Sequence, residues 1–168
     1  MATLRPAGRS AGFPTPRRAL VELDQRARRM FARAEGRVLD LGDYSSFSLP
    51  ELAESGERYD TIVSVMQISI APDARSFCSN IARLLTADGR LLFLEPTAVV
   101  GVAGKVQRAF GPWVRRTSGR RFDYDIPALI RSAGLSIGDC ERVSVAALWP
   151  YRSFVEGAAH TPYSRTAA

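Results

Sequence analysis

The chain has 168 residues, a net charge of +6, and 46% hydrophobic residues. A chain of this length forms one domain and buries about two thirds of its unfolded surface without disulfides or metal. Its two cysteines and one histidine, Cys78, Cys140 and His160, lack the spacing of a disulfide framework or a metal site.

Neither a signal peptide nor a membrane span is visible in the sequence. The first residues lack the apolar run of a signal peptide, and no stretch approaches the run of about 18 apolar residues that a span requires. We therefore expect a cytoplasmic, soluble protein.

The charge is unevenly distributed. Residues 1–37 contain nine Arg against three acidic residues, and residues 38–104 contain four Arg against nine. Residues 105–121 contain Lys105 and five Arg with no acidic residue. These basic segments suit an anionic membrane surface, nucleic acid or an acidic protein, or they are solvated arginine-rich surface. Nucleic acid ranks last, because no aromatic-basic reader motif accompanies the charge.

The first part of the chain predicts a tail, a helix and a strand. Residues 1–15 are rich in Pro, Gly, Ala and Arg, which is typical of a disordered tail. An apolar stripe at helical spacing predicts a helix over Pro16–Glu35. The apolar run Val38–Leu41 predicts the first strand, and the capping box at 48–51 predicts a short helix after it.

A strand, a helix and a second strand are predicted next. The β-branched run Thr61–Val65 is too continuous for a one-faced strand and indicates the buried centre of a parallel sheet. An apolar stripe that ends at Leu84 and Leu85 predicts a helix, which we expect Gly89 to stop in a left-handed conformation. The run Arg90–Leu94 then predicts another buried strand, parallel to the first because the connection is helical.

Three sequence segments in this part of the chain together resemble those of the class I S-adenosylmethionine (SAM) dependent methyltransferases. Residues 59–64 read YDTIVS, residues 84–90 read LLTADGR, and residues 91–96 read LLFLEP. Each is similar to a sequence motif of that family, and residues 125–135 are similar to a motif that occurs later in the family's sequence. The pattern is closest to methyltransferases of small molecules, thiols and phospholipids.

The resemblance implies a reduced Rossmann-like α/β fold. Asp40 and Asp60 are only 20 residues apart, whereas the family places two further strand-helix units there. Without strands 2 and 3, the family's sheet order becomes 1-4-5-7-6 with the last strand antiparallel. We expect one methyltransferase-like domain over residues 16–160, followed by a disordered tail at 161–168.

The resemblance also implies SAM as cofactor and assigns residues to its site. The implied cofactor-binding residues are Asp40, Leu41, Gly42, Asp43, Ser64 and Met66. The family's turn after strand 1 is glycine-rich so that backbone N–H groups approach the cofactor. Here Tyr44 and Ser46 replace two of the glycines, and the ribose-binding acid of strand 2 has no equivalent. In a second interpretation, Gly42-Asp43 and the following Leu49-Pro50 correspond to a later motif of the family that contacts adenine, and Asp43 is then a remnant adenine contact. We expect weakened or lost SAM binding.

The segment after Pro96 is assigned to the acceptor. Val99, Val102, Val106, Phe110 and Trp113 form an apolar stripe at helical spacing beside basic residues, which is typical of an amphipathic helix. The resemblance implies that this helix roofs the acceptor pocket, with Glu95, Phe110 and Trp113 as substrate-binding residues. A plain core helix is the competing interpretation. No residue is assigned as catalytic, and no metal is expected.

Two functions remain open at this point. The first is a methyltransferase acting on a small-molecule or lipid-like acceptor. The second is a catalytically inactive methyltransferase-like domain that binds a partner or a hydrophobic ligand. Loss of strands 2 and 3 turns Val38–Leu41 into an apolar edge strand, so we also expect a homodimer across this edge or cover by the N-terminal helix.

Overall fold

The computed structural model describes residues 17–43, 49–98, 104–105, 109, 111–112, 116, 121, 123–145 and 153–162. The helices are α1 (Arg17–Phe31), α2 (Leu49–Glu54), α3 (Ala74–Leu84) and α4 (Ile126–Ser132). The strands are β1 (Val38–Asp40), β2 (Tyr59–Val65), β3 (Leu85–Pro96), β4 (Ser136–Ser144) and β5 (Ser153–His160). Two short 3-10 turns cover Leu41–Asp43 and Ile68–Ile70.

The five strands form one mixed sheet in the order β1-β2-β3-β5-β4. β1, β2 and β3 are parallel neighbours, and β5 is antiparallel to both β3 and β4. Set against the family's strands 1, 4, 5, 6 and 7, the observed order reads 1-4-5-7-6. The predicted α/β fold class is confirmed.

The sheet has a hydrophobic cluster on each face, because successive side chains of a buried strand point to opposite sides. On one face Leu39, Ile62 and Leu91 pack in a cluster with residues of α2, α3 and α4. On the other face Val63, Leu92 and Phe154 pack in a cluster with α1 residues, among them Leu23 and Met30. Burying one such side chain stabilises the fold by about 1.5–3 kcal/mol. The continuous apolar runs in β2 and β3 follow from this two-sided burial.

The boundary between α3 and β3 differs from the prediction. The helix ends at Leu84, and Leu85 is already extended with φ −77° and ψ 144°. Gly89 lies inside β3 and has no positive φ, so the expected left-handed stop at Gly89 is wrong. A Cβ at Gly89 would lie 2.9 Å from the backbone N of Thr86. Glycine is needed there for close backbone approach.

A polar network at the amino edge of the sheet fixes how α1 enters β1. The Arg37 N–H donates to Oδ2 of Asp60 at 2.8 Å, and the Glu35 N–H donates to Oγ1 of Thr61 at 3.1 Å. Thr61 donates back to the Glu35 carbonyl at 2.7 Å. The short strand β1 is therefore fixed against β2 by contacts just before its first residue.

The predicted tails, 1–15 and 161–168, lie largely outside the described residues. Thr161 is an exception, because its N–H donates to the Gly89 carbonyl at 3.2 Å. This bond attaches the residue after β5 to the beginning of β3.

The two edges of the sheet differ in character. β4 is mostly exposed and carries Asp139, Glu141 and Arg142, and such charges discourage pairing with another strand. β1 carries an apolar Val38 that is 40% exposed. Within the described residues β1 pairs with β2 alone, and α1 lies on a face of the sheet, clustered with residues of β2, β3 and β5. Self-association across β1 therefore stays our prediction.

We expect the protein to dimerise at high concentration and Val38→Lys to shift it to monomer, because a lysine on an open edge disfavours strand addition. Size-exclusion chromatography with light scattering over a wide concentration range measures this. Leu20→Lys, which changes an exposed residue of α1, is the control and should leave the mass unchanged. A wild-type protein that is monomeric throughout would contradict the prediction.

Candidate functional site at the carboxyl edge of the sheet

The carboxyl ends of β1, β2 and β3 meet at one edge, because these strands are parallel neighbours. Ligands of open α/β sheets bind at such an edge. Asp40 ends β1, Val65 ends β2, and Pro96 ends β3. The predicted site residues before position 99 thus lie at or next to a single edge.

Among the described polar groups at this edge, the Glu95 carboxylate accepts the most hydrogen bonds. Its side chain is 0% exposed. Oε1 accepts hydrogen bonds from Ser64 Oγ at 2.7 Å, from the Gln67 N–H at 2.8 Å and from the Ile68 N–H at 3.0 Å. Oε2 accepts from the Ser69 N–H at 3.2 Å. The last residues of β3 are therefore attached to the turn that follows β2.

The turn after β2 has an unusual backbone. Met66 has φ +58°, the left-handed region that non-glycine residues rarely adopt, and Gln67 returns to the right-handed region. Successive residues of opposite hand point their N–H groups into one concavity, which binds anions. Glu95 supplies the anion here. The Met66 N–H also donates to the Leu94 carbonyl at 2.9 Å, so the turn is fixed on both sides.

Burial and hydrogen bonding act in opposite directions on Glu95. Burial raises the pKa of Glu95 from its ordinary 4.5 to about 7, although the bonds from Ser64 and the three amides lower it in part. Burial and the nearby Glu95 raise the pKa of Cys78 to about 12, so the Cys78 thiol stays protonated and unreactive at neutral pH.

Asp40 uses its carboxylate within its own turn. Its Oδ1 accepts from the Gly42 N–H at 2.8 Å, and a Cβ at Gly42 would lie 3.1 Å from the same oxygen. Burial raises the pKa of Asp40; the Gly42 bond lowers it and the Asp43 charge raises it. This amide is one that a glycine-rich turn would offer to a ligand, and here it is already engaged.

The chain returns to the edge after β3 at Arg121. The Arg121 N–H donates to the Ser69 carbonyl at 2.8 Å, and the Ala98 N–H donates to the Tyr124 carbonyl at 2.9 Å. Thr97 Oγ1 donates to the same Tyr124 carbonyl at 3.2 Å. The Arg121 guanidinium lies 4.4 Å from the centre of the Tyr124 ring. Arg121 is therefore attached to the turn that Glu95 holds, and Thr97 and Ala98 are joined to Tyr124, three residues further along the chain.

The other predicted residues have diverse environments. Leu41 is 1% exposed and its side chain belongs to the core, whereas Gly42 and Asp43 are exposed. Ser64 is buried and Met66 is partly buried. Phe110 and Trp113 lie outside the described residues, as do Tyr44 and Ser46. The assignment of Glu95 to substrate binding stays a prediction, and its carboxylate is fully buried in this structure.

Several residues of this edge were missed by sequence reasoning. The amides of Gln67, Ile68 and Ser69 act through the backbone, and no side-chain pattern announces them. The Asp40-to-Gly42 bond had a signal, because an Asp two residues before a Gly commonly accepts from that backbone. No sequence signal indicated that Arg121 and Tyr124 would lie at this edge.

In the described residues, the Gly42 amide after β1 donates to Asp40, and the Gln67 and Ile68 amides after β2 donate to Glu95, so a bound SAM would have to displace a carboxylate to use any of them. No described strand lies beyond β1 to carry a ribose-binding acid. In the same residues, no group of His, Cys, Asp and Glu could hold a metal ion, and no helix is long and apolar enough to cross a membrane.

We expect Glu95 to make the free energy of unfolding fall as the pH rises. Its pKa is higher in the folded protein than in the unfolded one, so its contribution is full below pH 4.5 and is lost as the pH rises through about 7. The loss amounts to about 3 kcal/mol. Urea unfolding from pH 4 to 8 should show this slope in the wild type and not in Glu95→Gln. The exposed Glu54→Gln is the control; parallel curves for wild type and Glu95→Gln would refute the assignment.

Ser64→Ala should destabilise the protein by about 1.5–3 kcal/mol, because it removes a buried hydrogen bond to a carboxylate. It should also raise the pKa of Glu95 further, since the Ser64 bond lowers that pKa. Urea unfolding at several pH values measures both effects. Ser79→Ala removes an exposed hydroxyl bonded to the Arg75 carbonyl and serves as control. Equal effects of the two substitutions would count against a special role of Ser64.

Among the comparisons with known proteins, the one with solved structures identifies the fold. No family model matches the chain, and no curated protein matches it in sequence. Solved structures do match. A SAM-dependent methyltransferase of Thermotoga maritima, described as a possible histamine N-methyltransferase, superposes with a TM-score of 0.56 at 15% identity over 86% of this chain and 91% of that one.

Two further structures show the same similarity. The N-methyltransferase NodS of Bradyrhizobium japonicum, in complex with S-adenosyl-L-homocysteine, matches with a TM-score of 0.54 at 13% identity, covering 92% of this chain and 95% of that one. A chain from the complex of a Haloferax volcanii methyltransferase with its Trm112 activator matches with a TM-score of 0.55 at 15% identity, covering 86% and 94%. The chain therefore has the fold of the class I SAM-dependent methyltransferases.

Proposed function

We propose that this protein is a SAM-dependent methyltransferase-like protein for a small-molecule or lipid-like acceptor, with SAM binding weakened or lost. The observation that carries the proposal is the shared carboxyl edge of β1, β2 and β3, with its left-handed turn at Met66. This edge is where ligands of open α/β sheets bind. The fold of the solved methyltransferases supports the same location.

The nature of the acceptor is argued from what borders the edge. The segment between Ala98 and Arg121 is attached to the Glu95-held turn at its Arg121 end, and its Ala98 end is bonded to Tyr124. Its sequence contains the apolar stripe with Phe110 and Trp113 and no acidic residue. This apolar and positively charged composition favours a hydrophobic or anionic acceptor. Glu95 acts in this proposal as a positioning residue, because its carboxylate holds the turn.

The weakness of SAM binding is argued from the engaged donors. The Gly42 amide donates to Asp40 and the Gln67 amide donates to Glu95, so a cofactor would have to displace an internal carboxylate to use either. β1 is an edge strand of three residues, so nothing described beyond it contacts a ribose. The described residues retain the parallel strands that form the site, but the Gly42 and Gln67 amides are engaged and no described residue contacts a ribose.

A catalytically inactive domain that binds a partner or a hydrophobic ligand is the second candidate. The occupied Gly42 amide favours it, because it closes the turn that a methyltransferase leaves open. A methyltransferase in complex with its Trm112 activator is among the matching structures, and a partner-binding role for the present chain is part of this alternative.

The two candidates differ in SAM affinity. Each unmade polar contact costs about 1–3 kcal/mol. Two or three such losses move a micromolar site toward the millimolar range. We therefore expect isothermal titration calorimetry with SAM and with S-adenosyl-L-homocysteine to give a dissociation constant of about a millimolar, or no binding in the inactive case.

The control for this titration is a pair of matched variants. Asp40→Ala frees the Gly42 amide at the edge, whereas Asp24→Ala removes a carboxylate of α1 that pairs with Arg28. Asp40→Ala should leave SAM binding unchanged or strengthen it a few-fold, because it frees the Gly42 amide, and Asp24→Ala should leave it unchanged. Micromolar binding by the wild type that Asp40→Ala abolishes and Asp24→Ala preserves would restore an ordinary SAM site and reject the proposal.

A further inference from the structure

We propose that the outward face of α1 docks the protein on an anionic lipid surface. That face includes the exposed residues Arg17, Arg18, Leu20, Val21, Arg28 and Arg29. The inference rests on the proposed function only for the acceptor class, since a docked α1 would hold the carboxyl edge of the sheet near a lipid-like acceptor. Docking itself requires neither SAM nor methyl transfer.

The helix α1 has an apolar side and a basic side. The apolar side recurs at helical spacing and packs against the sheet, where it contributes to a hydrophobic cluster with residues of β2, β3 and β5. Its buried residues are Ala19, Leu23, Ala27 and Met30. The core therefore uses one side of the helix, and four of its five arginines are exposed on the other.

Both acidic residues of α1 pair within the helix. Asp24 accepts from Arg28 at 2.8 Å, and Glu22 lies 3.6 Å from Arg26. In the described part of the chain, the side chains of the other three arginines make no ion pair. These are Arg17, Arg18 and Arg29. Their positive charge is available to an external anion, and each basic residue beside an anionic leaflet strengthens binding to it.

Two apolar side chains accompany these arginines in solvent. Leu20 is 54% exposed and Val21 is 53% exposed. At about 100° per residue, position 21 lies within about 40° of positions 17 and 28, so Val21 is surrounded by arginines. The phosphates of a nucleic acid would leave both aliphatic side chains facing a hydrated, charged backbone. A lipid surface receives the arginines at its headgroups and the aliphatic side chains at the acyl boundary, so the combination favours lipid.

The first turns of α1 extend toward the carboxyl edge of the sheet. Just after the helix, the Arg33 carbonyl accepts from the Arg90 side chain of β3. In the middle of the helix, Arg26 donates to Glu156 at 2.9 Å, and Glu156 pairs with Leu94. Between these contacts, α1 passes along β3 in the direction of its carboxyl end. The nine residues of α1 before Arg26 add about 13 Å. A surface bound by these turns therefore lies near the candidate site.

Flotation with vesicles tests the proposal. The wild type should float with vesicles of phosphatidylglycerol and phosphatidylcholine and not with phosphatidylcholine alone. Arg18→Glu with Arg29→Glu should lower vesicle affinity at least about tenfold, because two attractions become repulsions. Leu20→Ala with Val21→Ala should lower it about threefold or more, since it removes apolar surface that enters the interface while alanine preserves the helix.

The matched control is Arg83→Glu with Arg131→Glu. It makes the same change of net charge at two exposed residues of α3 and α4, the helices on the other face of the sheet. This control should float like the wild type. A wild type that does not float, an Arg18→Glu, Arg29→Glu variant that floats as well as the wild type, or an equal loss in the control would overturn the proposal.

The aliphatic variant separates a lipid surface from other polyanions. Undiminished vesicle binding by Leu20→Ala with Val21→Ala would also overturn the proposal and indicate a general polyanion contact, as with RNA. Circular dichroism checks that every variant is folded. Calorimetry with SAM in the absence of vesicles tests the proposed function separately, so a failure of one is distinguishable from a failure of the other.

Discussion

The hydrogen bonds of the buried Glu95 carboxylate are the interaction on which the carboxyl edge of this protein depends. Transferring a carboxylate from water to a protein interior costs several kcal/mol unless hydrogen bonds replace its hydration. Four donors do so here, and three are consecutive backbone amides. Because those amides converge only when Met66 is left-handed, the carboxylate and the backbone conformation require each other. Through Ser69 the same unit reaches Arg121 and thus the segment that follows β3.

Packing on both faces of the sheet fixes the position of the strands that form its carboxyl edge. α1 covers one face and α2, α3 and α4 contribute to the cluster on the other, so the central strands β2 and β3 are buried on both sides. β1 contributes Leu39 to one cluster and leaves Val38 exposed on the other side. Among the described strands, β2 and β3 are central and β1 is an edge. The candidate site is therefore formed by the buried strands β2 and β3 on one side and by the edge strand β1 on the other.

Strand and helix patterns predicted most of this fold from the sequence. The apolar runs located β2 and the second half of β3, and the helical stripes located α1 and α3. The beginning of β3 was missed, because Thr86, Ala87 and Asp88 have no strand pattern, and β3 residues there pair through a register shift. Gly89 was interpreted as a helix stop, although its function is to let the backbone approach Thr86. Local patterns do not contain such long-range packing requirements.

The candidate site was predictable in position and less so in chemistry. Asp40, Ser64 and Glu95 could be placed at the ends of strands, since a parallel sheet gathers those ends at one edge. The sequence did not reveal that Glu95 accepts hydrogen bonds from backbone amides of its own chain, and its assignment to substrate binding stays a prediction. That outcome depends on a left-handed Met66, and methionine gives no sequence signal for positive φ.

The bonds that join Thr97 and Ala98 to Tyr124 have a consequence for how such a protein changes over evolutionary time. The two ends of the intervening segment are closed by the fold itself, and the entropic cost of closing a loop grows only slowly with its length. A change in the number of residues between Ala98 and Arg121 therefore adds little to the entropic cost of closing this loop. We expect insertions and deletions between these two residues to change the free energy of unfolding little.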